Sequence, residues 1–192
     1  MTDRSESQSV PSSLRQIASI FRLTGWIGFW IQLVLAVVST VVLVLYSVFS
    51  RNSAPGNAGN PGTGLGIFFA VCGLLALGGS IYVSFRYTRI AQQLQSPNPN
   101  FRPRKSDTLQ ILQFGLMLNL GGMLLTLVGA YAIVGTLAAR SISQPQTVVL
   151  SNPNSLISSL DMFAVQANIN TIAGHFSGIA STLWLLNKIN KT

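Results

Sequence analysis

The sequence predicts an all-α membrane protein, four transmembrane helices packed as a bundle. Three observations carry this. Only 8% of the 192 residues are charged while 48% are hydrophobic, against about a quarter charged in soluble domains. Four apolar segments each reach the roughly 20 helical residues needed to cross about 30 Å of hydrocarbon. The basic residues gather at the ends of those segments. The net charge of +8 therefore reads as membrane topology; no aromatic interleaving or fold signature points to nucleic acid. One cysteine, Cys72, excludes an intramolecular disulfide and a cysteine metal cluster; in its apolar run it reads as a small buried residue.

Residues 1–13 form a polar, serine-rich tail expected to be disordered, and residues 14–192 a single four-span domain. The tail lacks the basic-then-apolar pattern of a signal peptide and the Arg-rich pattern of a transit peptide. Residues 12–22, SSLRQIASIFR, suit an amphipathic helix at the membrane surface. The spans follow at about 25–49, 64–85, 109–139 and 166–187. The third is too long to cross upright, so it should tilt or project, and Asp107 with Gln110 resembles a capping box at its start. The first loop is Gly/Asn/Pro-rich and has no helical pattern. The second is basic, and continues span two by a turn before its prolines intervene. In the third, Leu156, Ile157, Leu160, Phe163 and Ala164 recur at helical spacing, which suggests an extra amphipathic surface helix before span four.

Lys and Arg counts set the orientation. Arg4, Arg15, Arg22, Arg86, Arg89, Arg102, Arg104, Lys105, Lys188 and Lys191 lie on one side, and only Arg51 and Arg140 on the other. Ten against two places both termini and the basic loop in the cytoplasm. Arg86, Arg89, Arg102, Arg104 and Lys105 are also expected to attract anionic lipid or an acidic partner.

Each span carries a stripe of small and polar residues. Span one has Gly25, Gly28, Gln32, Ala36 and Ser39, and span two Gly66, Ala70, Gly73, Ser80 and Ser84. Span three steps through Gly115, Asn119, Gly122, Thr126 and Gly129. Span four has Asn168, Thr171, His175, Gly178 and Thr182, with Gly174 and Gly178 forming G-x-x-x-G. Such stripes are the packing faces of membrane helices. Gly28, Gln32 and Ser39 match Gly115, Asn119 and Thr126 at identical spacing, which would fit a parallel two-plus-two repeat. Rise per residue predicts an inner polar layer of Gln32, Ser80, Asn119 and Thr182, about 7 Å to the cytoplasmic side of the midplane. An outer layer of Ser39, Thr126 and His175 would lie about 3 Å to the other side of the midplane.

His175 is the only histidine, and an ionisable group at that depth is a functional candidate. It has three readings: a structural donor to Ser39 or Thr126, a titrating group in a polar path, or a metal ligand. The last is weak, since iron and zinc want several His, Cys or carboxylate ligands and the spans hold no Asp or Glu. Asp161 lies about 21 Å of helix away and reads as a solvated charge, or as a cation-attracting group at the outer mouth. No nucleophile elbow, H-E-x-x-H, phosphate loop or intramembrane carboxylate pair appears, so an enzyme is not expected, and no cofactor is implied.

The stretches SLRQIASIFRLTGWIGFWIQLVLAVVS, YTRIAQQL and QANINTIAGHFSGIASTLWLLN resemble the DUF3611 family of cyanobacterial and plastid membrane proteins, from about Ser13 to the C-terminus. The resemblance implies a relative in the chloroplast inner envelope, described both as an iron permease and as a preprotein-import component. A cyanobacterial plasma or thylakoid membrane is expected for this chain. Two functions are carried forward. One is a small permease-like protein for iron or another cation, as a homo-oligomer if transport needs one. The other is a non-transporting subunit of an import, assembly or scaffold complex, held to other membrane subunits.

Overall fold

The computed structural model describes residues 12–52, 61–96, 98–143 and 159–190. Among them are four α-helices: α1 (Ser12–Asn52), α2 (Pro61–Leu94), α3 (Lys105–Ser143) and α4 (Ser159–Asn190), with a short 3-10 turn at Pro99–Phe101 between α2 and α3. The 41 residues of α1 make a rod about 60 Å long, so the helix projects well beyond the hydrocarbon. Residues 12–22 are its first turns and do not form a separate surface helix. Nothing in SSLRQIASIFR breaks the pattern, and Ala18 and Phe21 are buried against the bundle.

The other ends are also set locally. Pro61 opens α2, where its missing N–H costs nothing. Past Leu94 the chain turns tightly, with Gln95 N–H donating to the Gln92 carbonyl at 3.2 Å and Ser96 N–H to that of Gln93 at 3.1 Å. Prolines in the following loop prevent the helix from resuming. Arg102 Nε donates to the Ser96 carbonyl at 3.2 Å and ties the loop across its base. α3 begins at Lys105, earlier than a capping box at Asp107 implies. Asp107 lies inside its first turn, where a negative charge favours the positive end of the helix dipole. Its carboxylate accepts from Ser106 Oγ at 3.2 Å.

α1 packs on α2, α2 on α3, α3 on α4 and α4 on α1, while α2 and α4 also touch across the diagonal. The buried residues of α3 are Thr108, Leu112, Gly115, Asn119, Gly122, Thr126, Gly129, Ile133 and Leu137. They advance by alternating fours and threes until the last step, the spacing that keeps one seam facing the neighbours in a left-handed bundle. The outer faces are apolar: Val34, Val41, Leu75, Phe68, Met117, Leu124, Phe176 and Trp184 all point away from the bundle. Water is the wrong solvent for such a surface; the protein belongs in a membrane.

Among the described residues three helices are long and apolar enough to cross one: Leu14–Phe49, Gly64–Leu94 and Lys105–Ser143. The sequence reading gave four. α4 has the length, 32 residues, but its inward face is spent on Asn168, Thr171, His175 and Thr182, which lowers its apolarity while its outward face stays apolar. The separate surface helix expected before it has a different outcome in its two parts. Phe163 and Ala164 lie in the first turns of the continuous α4, where Ala164 packs in a cluster with Tyr46, Ile133 and Leu137. Leu156 and Ile157 fall outside the described residues, as does the tail through Pro11.

Glycine sets how closely the helices approach. At Gly129 a Cβ would come within 2.8 Å of the Gly66 carbonyl oxygen and 3.0 Å of the Ala70 nitrogen, both backbone atoms that cannot swing aside. Gly121 and Gly135, on the same helix, face open space. Gly129→Ala should therefore wedge α2 from α3 and cost about 1–3 kcal/mol, whereas Gly121→Ala and Gly135→Ala should be neutral or stabilising. Thermal unfolding in detergent of the three variants compares them directly.

Candidate functional site

The centre of the bundle holds one connected polar network drawn from all four helices. Gln32 on α1 donates through Nε2 to Ser80 Oγ at 2.9 Å, Asn119 Oδ1 at 3.2 Å and the Gly174 carbonyl at 3.3 Å. Two hydrogens serve three acceptors, so the amide is shared among them. Ser84 Oγ donates to Gln32 Oε1 at 2.8 Å, and Ser80 Oγ to Asn119 Oδ1 at 2.7 Å. Asn119 Nδ2 donates back to the Gly115 carbonyl at 2.9 Å. These contacts fix both amides, because flipping either would set oxygen against oxygen.

His175 completes the network. Its Nδ1 lies 3.2 Å from Asn119 Oδ1 and its Nε2 lies 3.1 Å from the Gly73 carbonyl oxygen. Both nitrogens face acceptors. A neutral imidazole carries one N–H, so it bonds one of these oxygens at a time, and the choice of tautomer decides which helix, α2 or α3, it holds. The expected donation to Ser39 or Thr126 is not what the structure shows. The side chain is long enough to reach down to Asn119, and Gly122, where a Cβ would strike the ring, leaves room for it.

The expected layers are thereby redrawn. Gln32, Ser80, Asn119 and His175 share the network; Thr182 does not. Thr182 Oγ1 donates to the Gly178 carbonyl at 2.8 Å and accepts from the Tyr87 hydroxyl at 3.2 Å, one step nearer the basic end. Ser39 donates to the Ala167 carbonyl at 3.0 Å and accepts from Thr171 Oγ1 at 3.1 Å. Thr126 bonds within its own helix, to the Gly122 carbonyl at 2.8 Å. All seven of these side chains are buried, none more than 2% exposed.

The packing glycines are sockets for polar groups. A Cβ at Gly178 would meet the Gln32 and Asn119 amides, one at Gly115 the Tyr87 hydroxyl, and one at Gly73 the Thr126 hydroxyl. A Cβ at Gly28 would lie 3.0 Å from Ser181 Oγ, and one at Gly174 2.9 Å from the Leu77 side chain. The sequence places Ser84, Gly73 and Thr171 in the small-and-polar stripes without showing their partners, and Tyr87 in none of them. Tyr87 sits in what reads as the basic loop, and a backbone acceptor leaves no trace in sequence.

Asn168 is different. Its Nδ2 donates to the Ala164 carbonyl at 2.9 Å, but its Oδ1, buried on a residue 1% exposed, has no partner. Asp161 and Arg140 both act electrostatically on Tyr46 at the far end of the bundle. Among the described residues no three His, Cys, Asp or Glu converge as metal ligands. At the basic end Arg86, Arg89, Arg104 and Lys105 point outward and Arg102 is half-buried.

Residues 11–190 match the family described as "Protein of unknown function (DUF3611)". The chain is 32% identical over 192 residues to "Protein TIC 21, chloroplastic" of Arabidopsis thaliana, a match that covers 97% of this chain and 62% of the relative's length. No solved structure matches.

Two substitutions separate bonded from orphaned polarity. Asn119→Leu strands donors on Gln32, Ser80 and His175 and should destabilise by about 2–3 kcal/mol, since each unmet buried group costs about 1–3. Asn168→Leu removes an acceptor that has no partner and should cost less than about 1 kcal/mol, or stabilise. Denaturant titration of helicity in mixed micelles orders the pair.

Proposed function

Since the chain belongs to the DUF3611 family, we propose that it is a small permease-like integral membrane protein. Its four helices all cross the bilayer, and its cation path runs through the layer built on Asn119. The observation that carries this is the network joining Gln32, Ser80, Ser84, Asn119 and His175 across four helices. Polar groups at such depth are expensive and are characteristic of ion or proton pathways. The fourth crossing is supported by pairing: Gln32 meets Gly174, Ser39 meets Ala167 and Gly28 faces Ser181. α4 thus runs antiparallel to α1 along the length that α1 commits to the membrane. The matched spacing of Gln32 and Asn119, bonded to each other across the bundle, is the support for a two-plus-two repeat.

The donor set favours a hard cation. An ion in this layer would meet amide, hydroxyl and carbonyl oxygens with a single imidazole, which suits hard cations better than soft ones. Iron as ferrous ion is the first substrate to test. The side chains touch one another directly, so passage requires the helices to part and the network to exchange its internal bonds for bonds to the ion or its water. The Lys and Arg bias supports both termini lying on the cytoplasmic side; the membrane proposed is a cyanobacterial plasma or thylakoid membrane.

The same closure favours the second reading, a non-transporting subunit of an import, assembly or scaffold complex, in which the network only locks the bundle. Proteoliposomes loaded with a metal-quenched dye distinguish them. The permease takes up ferrous or manganous ion, and His175→Ala and Gln32→Ala each lower the rate at least tenfold while Cys72→Ala leaves it unchanged. Absence of uptake by the wild-type protein, together with a stable complex that co-purifies from native membranes, would replace the permease with the subunit.

A further inference from the structure

A groove of about 870 Å³ opens between α1 and α2 at the basic end of the bundle, lined by Ser19, Arg22, Trp26, Phe85, Thr88, Arg89, Gln92 and others. Its chemistry changes along its length. Arg22 and Arg89 reach it from adjacent helices; Ser19 and Gln92 lie about one helical turn further toward the helix ends, and Trp26 and Phe85 about one turn further toward the middle of the bundle. Both rings turn outward, Trp26 49% and Phe85 36% exposed, and the Arg89 guanidinium lies 5.3 Å from the centre of the Phe85 ring. Among the described residues no acidic side chain lines the groove. At the same end of α4, Lys188 Nζ lies 5.4 Å from the Trp184 ring centre. Tryptophans beside cations mark the level where hydrocarbon gives way to head groups.

We propose that this groove is a binding site for one anionic phospholipid of the surrounding bilayer. Arg22 and Arg89 hold the phosphate. A guanidinium presents a fork of donors that matches phosphate oxygens in pairs, and two forks on neighbouring helices enclose the group from both sides. The Gln92 amide and Ser19 hydroxyl, one turn further out, meet the head-group alcohol, and the glycerol esters and acyl chains lie along Trp26 and Phe85, continuous with the bilayer. The floor is fixed by Gly25, where a Cβ would lie 3.1 Å from Tyr87 Cβ and 3.2 Å from the Ser84 carbonyl. That close approach keeps α1 and α2 in register, so the two arginines stand at one level. Arg22 is the decisive residue. It lies outside the basic loop and contributes only because the fold brings α1 beside α2.

The test uses the full chain in nanodiscs of phosphatidylcholine with a graded share of phosphatidylglycerol. Trp26 fluorescence is quenched by brominated phosphatidylglycerol, and retained lipid is counted by native mass spectrometry. Phosphatidylglycerol should be retained and should quench in preference to phosphatidylcholine. Arg22→Gln with Arg89→Gln should weaken retention about 30-fold, the loss expected for two basic groups at an anionic surface. Gln92→Glu should weaken it by like-charge repulsion. Arg140→Gln, at the other end of the bundle, should retain lipid like the wild type. Unfolding temperature, expected unchanged because both arginines point outward, separates lost binding from lost structure. The proposal is overturned if the double arginine variant keeps its lipid, if phosphatidylcholine binds equally, or if inorganic phosphate displaces the lipid at millimolar concentration.

Discussion

Asn119 Oδ1 is the atom on which the bundle turns. It accepts from Gln32 and Ser80 and faces His175 Nδ1, so groups from α1, α2 and α4 meet at one oxygen of α3. In water such contacts would exchange freely with solvent. In hydrocarbon there is no alternative partner, although measured interhelical hydrogen bonds average only about 0.6 kcal/mol because a loosened bundle also finds partners. The network therefore gives register more than bulk stability. An apolar seam tolerates a one-turn slip of a helix; an oxygen with several assigned neighbours does not.

Close approach makes the network possible, and glycine makes the approach possible. Gly178 admits the two amides, Gly122 admits the imidazole and Gly115 admits the Tyr87 hydroxyl. The small-residue stripe and the polar stripe are thus one device seen from opposite helices: a socket on one and a plug on the next. At the other extreme, Gly66 and Gly129 bring backbone against backbone with no polar side chain between them.

Much of this was legible in the sequence. The steps of four and three from Gly115 to Gly129 identify the inward face of α3, and every one of those residues is buried. The same holds for Gln32, Ser39, His175 and Thr182. Partner choice was not legible. Cα depth ignores the length and tilt of the side chains, and so groups His175 with Ser39 and Thr126 although its ring reaches Asn119. Hydropathy averages around a helix, so it ranks α4 low for the polar face that the bundle hides. Tyr87 is masked in the sequence by Arg86 and Arg89 on either side. Those arginines point outward while its ring is 2% exposed, a division that only helical geometry makes.

The wiring has a temporal side. Gln32, the first deeply buried amide to be synthesised, finds Ser80 and Ser84 on the very next helix, 48 and 52 residues later. Asn119 then arrives opposite an existing Gln32–Ser80 pair, and His175 arrives last with both of its acceptors, on α2 and α3, already made. No polar side chain of the network waits more than one helix for its first partner. A chain threaded into a bilayer from its N-terminus would thus leave neither amide of this network in lipid for long, and the order of residues along the polypeptide would double as an assembly schedule.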